Sequence, residues 1–327
     1  MKYMLKTTNI YIKIFICVCF LIKFFSGALV AENSPYAFLR NAATARSAGL
    51  SNAIVSLTND PGAIFINPAS ISTISDKNVN FTFFKHVLDI NSGNATYIHH
   101  FDDITKGSIS ASVIFTNYGS FDYYDADGNS TGGTFSGNLL SIQASYSNKI
   151  DKNFYYGTTV KLLYNSLEKM NGMAAAVDFG LLYLLDDDRT NFGLSVLHAG
   201  GELKKIANES HALPLDIRLG GSHRLRGLPL LFNFNFNHLN EVEKTFFSRF
   251  GNFAIGGEFY FGDIVQVRIG YDNYIRKNIA AKENKGLSGF SAGVGIVPQD
   301  WFMSFDYGLS IYTKDIFLHR FGLNISL

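Results

Sequence analysis

Gly289, Ser291 and Gly293 stand at the G-x-S-x-G spacing that presents a serine nucleophile in many hydrolases. That chemistry needs a sharp strand-to-helix turn, with an acid and a histidine behind the hydroxyl. Here Ser291 lies inside an alternating run that continues through Val294 and Ile296, with no helical pattern after it. The context predicts a strand residue. Asp125, Asp127 and Asn129 open like a calcium loop, but Ser130 stands where the sharp turn needs Gly, and Ser136 where Glu should supply two oxygens. A turn with Asp127-Gly128 at its tip explains the same residues. His99 and His100 lack a Glu-x-x-His spacing or a cysteine partner, and Asp186, Asp187 and Asp188 read as a solvated turn. The expectation is a chain that is not an enzyme and uses no cofactor or metal.

The elements around these residues explain why. From Val79 onward apolar and polar residues alternate, the period-two signature of strands with two unlike faces. In 231–238, Phe232, Phe234 and Phe236 share one face, and Asn233, Asn235 and Asn237 the other. Turn clusters place about fourteen strands, near 79–85, 94–101, 107–118, 138–147, 153–166, 173–185, 190–198, 213–224, 229–239, 251–261, 264–274, 286–297, 301–312 and 316–327. Short turns alternate with longer loops, notably 119–137, 199–212 and 240–250. Even strand number and unequal ends describe an all-β fold, a transmembrane antiparallel β-barrel. Closure also removes the edges that so many strands would leave exposed.

A soluble β-sandwich would alternate too, so the polar face decides. It holds charges of both signs, which a water-filled lumen can satisfy while lipid meets Phe, Val, Leu and Tyr. Strand parity suggests a lumen polar network of Lys161 with Asp178, Glu258 with Arg268, and Asp306 with Arg320.

Residues 1–31 have the order of a cleaved signal peptide: Lys2, Lys6 and Lys13, an apolar core over 14–22, then small residues at Ser26, Gly27, Ala28 and Ala31. Export follows, and Cys17 and Cys19 both lie in this part. The full chain has 327 residues, 28 Lys+Arg and 27 Asp+Glu; removing the leader's Lys2, Lys6, Lys13 and Lys23 leaves 24 against 27, a formal −3. Such a balance excludes the basic excess of a nucleic-acid binder. The 17% charged and 15% aromatic content, with 30 Phe and 17 Tyr, excludes disorder. Between leader and barrel (77–327), segment 32–76 carries a small-residue helix or turn at 42–49 and a capped turn at Asn67-Pro68. Two readings stand for it, a plug folded into the barrel mouth or a periplasmic arm.

The order of several motifs resembles the PorV/PorQ family of outer-membrane proteins. They are Ala45-Arg-Ser-Ala-Gly49 with Asn67-Pro-Ala69, Tyr118-Gly-Ser-Phe-Asp122, Asp127-Gly128 and Gly133-Thr-Phe-Ser136. They continue through 161–167, Asp178-Phe-Gly180, 213–220, 257–263 and Arg268-Ile-Gly-Tyr271. The resemblance implies a fourteen-stranded barrel similar to the long-chain fatty-acid transporter fold, in the cell outer membrane. It further implies a component of the type IX protein secretion machinery that contacts outer-membrane lipid and anchors other secretion-complex proteins at the surface. No catalytic residues carry over. On that reading Phe121, Tyr123, Tyr124 and Phe135 are candidates for the buried centre of a partner contact; an aromatic girdle at the lipid boundary accounts for them as well. The rival function is an outer-membrane transporter for a hydrophobic small molecule, which requires an apolar pocket among the lumen residues.

Overall fold

Strands form where a side chain facing lipid alternates with one facing the lumen, and here the usual polarity of a soluble sheet is reversed. On β3 (Ser108–Tyr124) the serines 108, 110 and 112 are buried inward, whereas Ile109, Val113 and Phe115 are exposed outward. On β5 (Phe154–Leu167) Thr159, Lys161 and Asn165 point in, and Val160, Leu162 and Tyr164 point out. On β9 (Leu230–Phe236) the Asn face is buried, and Phe232 is exposed. An outward apolar band over hydrogen-bonded backbone is the one sheet surface that hydrocarbon tolerates.

The computed structural model describes residues 34–327 except 87, 88, 102, 104, 105, 207, 208, 242, 244, 263, 280–284, 299 and 300. The leader expected over residues 1–31 lies outside the described residues. Fourteen antiparallel strands close into a barrel, each beside its neighbours in sequence, with β1 (Asn78–Lys85) hydrogen-bonded to β14 (Ile316–Ser326). The remaining strands are β2 (Asn91–His100), β4 (Ser130–Lys149), β6 (Met170–Leu184), β7 (Thr190–Lys204), β8 (Asp216–Arg224), β10 (Phe253–Phe261), β11 (Val265–Asp272), β12 (Phe290–Ile296) and β13 (Met303–Thr313). "Near end" here denotes the rim where β1 begins and β14 finishes, and "far end" the opposite rim.

The wall is uneven. Strands β3 to β7 run 14 to 20 residues, whereas β8 to β12 run 7 to 9. Much of what the turn signals mark as loops at 119–137 and 199–212 is therefore strand, extending β3, β4 and β7 at the far end.

Residues 34–76 pack against the inward faces of the strands. Thr44 caps a short helix, α1 (Ala45–Gly49), through a reciprocal hydroxyl–amide pair with Ser47. Asn67 caps a 3₁₀ turn over Pro68–Thr73 by accepting from the Ala69 amide at 3.1 Å. Apolar side chains of this segment make the hydrophobic clusters among the described residues, each completed by buried residues of the strands or, for Leu213, of the loop before β8. Leu50, Ile54, Val55 and Ile66 meet Leu197 and Leu231; Tyr36 and Leu39 meet Leu163, Ala176 and Leu213; Phe65, Ile71 and Ile74 meet Ile98.

Close approach comes from glycine on the wall. A Cβ at Gly308 of β13 would overlap the Ala45 carbonyl, and one at Gly180 of β6 would overlap the Asn67 side chain. The absent side chains admit backbone against backbone on both sides of the barrel.

Candidate functional site

Two layers of buried charge line the lumen, on either side of the apolar packing around segment 34–76. Toward the near end, Glu258 of β10 is fully buried and receives two arginines. Arg46 of α1 donates from Nη2 at 2.7 Å and Nε at 2.9 Å, and Arg268 of β11 donates from Nε at 2.5 Å. Arg268 also reaches Asp306 of β13 at 2.5 Å. A carboxylate buried away from the surface needs such charge-assisted donors to offset its desolvation. One of them, Arg46, belongs to the segment and ties it to the wall.

Toward the far end two arrangements repeat. The Lys161 ammonium lies 2.6 Å from Asp178, whose other oxygen accepts from the His198 backbone amide at 2.7 Å. Arg218 lies 2.7 Å from Asp216, which likewise accepts from the His238 amide at 2.7 Å. Both histidines have left-handed backbone, φ 61° and 54°, which turns their N–H groups toward the carboxylates. Above them Arg40 of the segment bridges to Glu241 at 2.8 Å.

The parity pairs Lys161–Asp178 and Glu258–Arg268 are thus present as contacts. Asp306 and Arg320 do not pair. Asp306 sits across from Gly295 of β12, and a Cβ there would lie 2.6 Å from the Arg268 guanidinium and 2.7 Å from the Asp306 carboxylate. The missing side chain lets Arg268 reach past β12 to Asp306. Arg320 instead donates to the Ala42 carbonyl at 3.0 Å and Ser310 at 3.2 Å, and stacks over Phe84 at 5.0 Å. It meets no acid among the described residues, so it too ties the segment to the wall.

A cavity of about 420 Å³ opens at the far end, with Phe38, Arg40, His86, His238, Asp272 and Tyr312 among its walls. Through Phe38, Asn41, His86, Ser92 and Thr116 it adjoins a narrow recess of about 30 Å³ floored by Leu39, Phe65, Ile66, Phe84 and Ile114. The cavity mixes Arg40, His86, His238 and Asp272 with Phe38, Tyr118, Ile275 and Tyr312, and the recess adds Gln143, Lys161 and His198 beside its apolar residues. At the near end two further cavities, of about 200 and 320 Å³, share Asn59, Pro61, Val297, Ser304 and Asn324 and are far more polar around Arg46, Arg268 and Asp306. The segment lies between the two ends. His86, in the loop after β1, bonds Ser92 at 2.9 Å; burial, with Arg320 and Lys85 adding to it, pushes its imidazole down to about 4.

The serine of the nucleophile-like motif is packed away. Ser291 Oγ lies 2.7 Å from Ser51 Oγ and donates to the Gly49 carbonyl at 3.0 Å. His99 contacts Asp76, and His100 contacts the Ile74 carbonyl and Ser108, so the pair holds the near-end turn. Asp125 accepts from the Asp127 and Asn129 amides, closing the β3–β4 turn.

Of the aromatic candidates, Phe121, Tyr123 and Phe135 come together, with ring centroids 5.3 Å apart for Phe121–Phe135 and 5.0 Å for Tyr123–Phe135. Tyr124 stands outside this stack and is 62% exposed. All four lie beyond Asn117, where β3 parts from β2. Sequence reasoning missed Arg40, Arg46, His198 and His238. A single charge inside the small-residue run 42–49 was the available signal for Arg46.

No protein-family profile matches the chain, and no curated protein matches it. Solved structures do. The toluene transporter TodX of Pseudomonas putida superposes with a TM-score of 0.55 at 12% identity, covering 84% of this chain and 95% of that one. A FadL homologue of Pseudomonas aeruginosa gives 0.55 at 11%, covering 87% and 98%. The toluene transporter TbuX of Ralstonia pickettii gives 0.52 at 12%, covering 87% and 98%. The fold is that of these barrels.

Proposed function

We propose that this barrel is an outer-membrane channel for a small apolar molecule, closed at rest by segment 34–76 acting as a plug. The observation that carries the reading is the far-end cavity, whose walls are mostly apolar and continue into a recess lined by Phe38, Leu39, Phe65, Ile66 and Phe84 beside Lys161 and His198, built jointly by segment and wall. An apolar solute gains by leaving water there. Of the charges beside it, Lys161 is paired with Asp178 and Arg40 with Glu241, whereas Arg320 lies over Phe84 and is held by the Ala42 carbonyl and Ser310. Barrels of the same fold are described as toluene transporters, which makes toluene the natural probe. Uptake of labelled toluene by cells producing the barrel should exceed that of cells lacking it and fall at least fivefold in Phe65→Asp. Equal uptake by all three strains would remove the reading.

The second reading is a surface anchor for partner proteins, of the type IX kind that the PorV/PorQ resemblance implies. It is favoured by the Phe121, Tyr123 and Phe135 stack standing beyond the barrel rim. Its test is recovery of partners from solubilised membranes with residues 119–137 shortened to a tight turn. Unchanged recovery with an intact barrel would dismiss it.

A further inference from the structure

The β3–β4 hairpin leaves the barrel before it ends. β2 accompanies β3 only as far as Asn117, and β5 accompanies β4 only from Gly137 onward. Residues 118–136 therefore form a two-stranded ribbon paired only with itself, through Ser120↔Ser136, Phe121↔Phe135, Asp122↔Thr134 and Tyr124↔Ser130. Its seven β3 residues, 118–124, extend about 23 Å at the usual rise per residue. One side is tethered, since Tyr123 donates to Glu168 at 2.7 Å and the Glu168 amide donates to the Ser136 carbonyl at 3.1 Å. The opposite edge, along β3 from Ser120 to Tyr124, meets no other strand among the described residues.

An unpaired strand edge is a template for another strand, and ordinary proteins blunt it with Lys, Pro or a cover. This edge has no Lys or Pro, since no Lys, Arg or Pro occurs between Lys106 and Lys149; its register shifts, between Asn117 and Ser120 and between Asp122 and Tyr124, flank a regular run over Ser120, Phe121 and Asp122. Its charges are Asp122, Asp125 and Asp127, with Asp89 packed beside Gly119 at its base. A wholly acidic ribbon is repelled by anionic lipid headgroups and by a second copy of itself. It complements a basic strand. A two-stranded ribbon is also marginal alone, and a third strand would complete it.

We infer that the β3 edge over 118–124 docks an extended polypeptide of a partner protein by strand addition, with basic residues flanking apolar ones. Phe121 and Tyr124, 39% and 62% exposed, offer the apolar contact. The inference rests on the surface-anchor reading and is independent of the channel.

The test uses the whole barrel in uncharged detergent and three labelled ten-residue peptides. The first alternates Val and Thr between Lys-Lys ends, the second has Glu-Glu ends, and the third repeats the first with alternate amides N-methylated. The Lys-ended peptide should bind best and slow amide exchange over 118–124 at least tenfold, and methylation should abolish both effects. In Asp122→Lys/Asp127→Lys the preference should reverse toward the Glu-ended peptide. Heat-modifiable migration checks that each variant retains its barrel. No protection of 118–124, or equal binding of the methylated peptide, would overturn strand addition. Tighter association with anionic vesicles, or a concentration-dependent dimer through the ribbon, would assign the edge elsewhere. If partner recovery still needs the ribbon while no peptide protects the edge, the anchor reading survives and this inference does not.

Discussion

Replacing Arg46 with alanine should loosen segment 34–76 without opening the barrel wall. Arg46 makes two charge-assisted hydrogen bonds to Glu258, at 2.7 and 2.9 Å, in a pair whose carboxylate is fully buried. Breaking a buried pair costs about 3–5 kcal/mol when the remaining charge is left alone. Here Arg268 still contacts Glu258 at 2.5 Å and Arg46 keeps a small exposure to the near-end cavity, so the loss of its two hydrogen bonds together falls below that range, to about 2 kcal/mol. That corresponds to about a 30-fold larger population with the segment released. Thiol labelling reads it directly, because Cys17 and Cys19 both precede the described residues, an introduced thiol is the one cysteine within them, and Ser56 is buried with a hydroxyl that finds no partner. In Ser56→Cys, adding Arg46→Ala should raise the maleimide labelling rate about 30-fold under conditions where reclosing outpaces reaction. The double variant Arg46→Ala/Glu258→Gln should show less than the sum of the single effects. A rate unchanged within twofold would refute the claim that this bridge holds the segment.

Other expectations follow from the same geometry. Lys161→Met leaves Asp178 buried without its cation and should cost about 3–5 kcal/mol in barrel unfolding, whereas Arg320→Met, which strands no acid, should cost less than half as much. Urea unfolding in micelles measures both, and equal losses would restore an acid partner for Arg320. Gly180→Val should collide with Asn67 and expose residues 34–76 to protease while the barrel keeps its heat-modifiable migration; full protection would place the segment elsewhere. His86 is held neutral, so the unfolded chain takes up a proton at higher pH than the folded one. Its stability contribution is fully present above its ordinary value near 6.5 and is lost as pH falls toward about 4. A His86 resonance titrating near 6.5 would contradict this.

The barrel was legible because lipid and lumen impose opposite demands on successive side chains, so Phe232-Asn233-Phe234-Asn235 announces both a strand and its faces. The ribbon was not legible for the same reason. Beyond the membrane neither demand applies, and Ser130, Thr131, Gly132 and Gly133 read as loop although they are strand. Parity found Lys161 facing Asp178, but it cannot show that a guanidinium crosses a whole strand. That required Gly295 to be known as the residue between Arg268 and Asp306. The seat of α1 had the same difficulty: Gly270, Gly293 and Gly308 become neighbours only once the register of β11, β12 and β13 is fixed.

The central claim, that an apolar solute passes when segment 34–76 moves, meets its most direct test in a reversible lock. Ser51 of the segment and Ser291 of β12 hold their hydroxyl oxygens 2.7 Å apart, so Ser51→Cys/Ser291→Cys is placed to form a disulfide. Toluene flux into proteoliposomes containing this variant should be near background when oxidised and return on reduction to the rate of the serine protein. Equal flux in the oxidised and reduced states, with the disulfide verified by mass, would contradict the account.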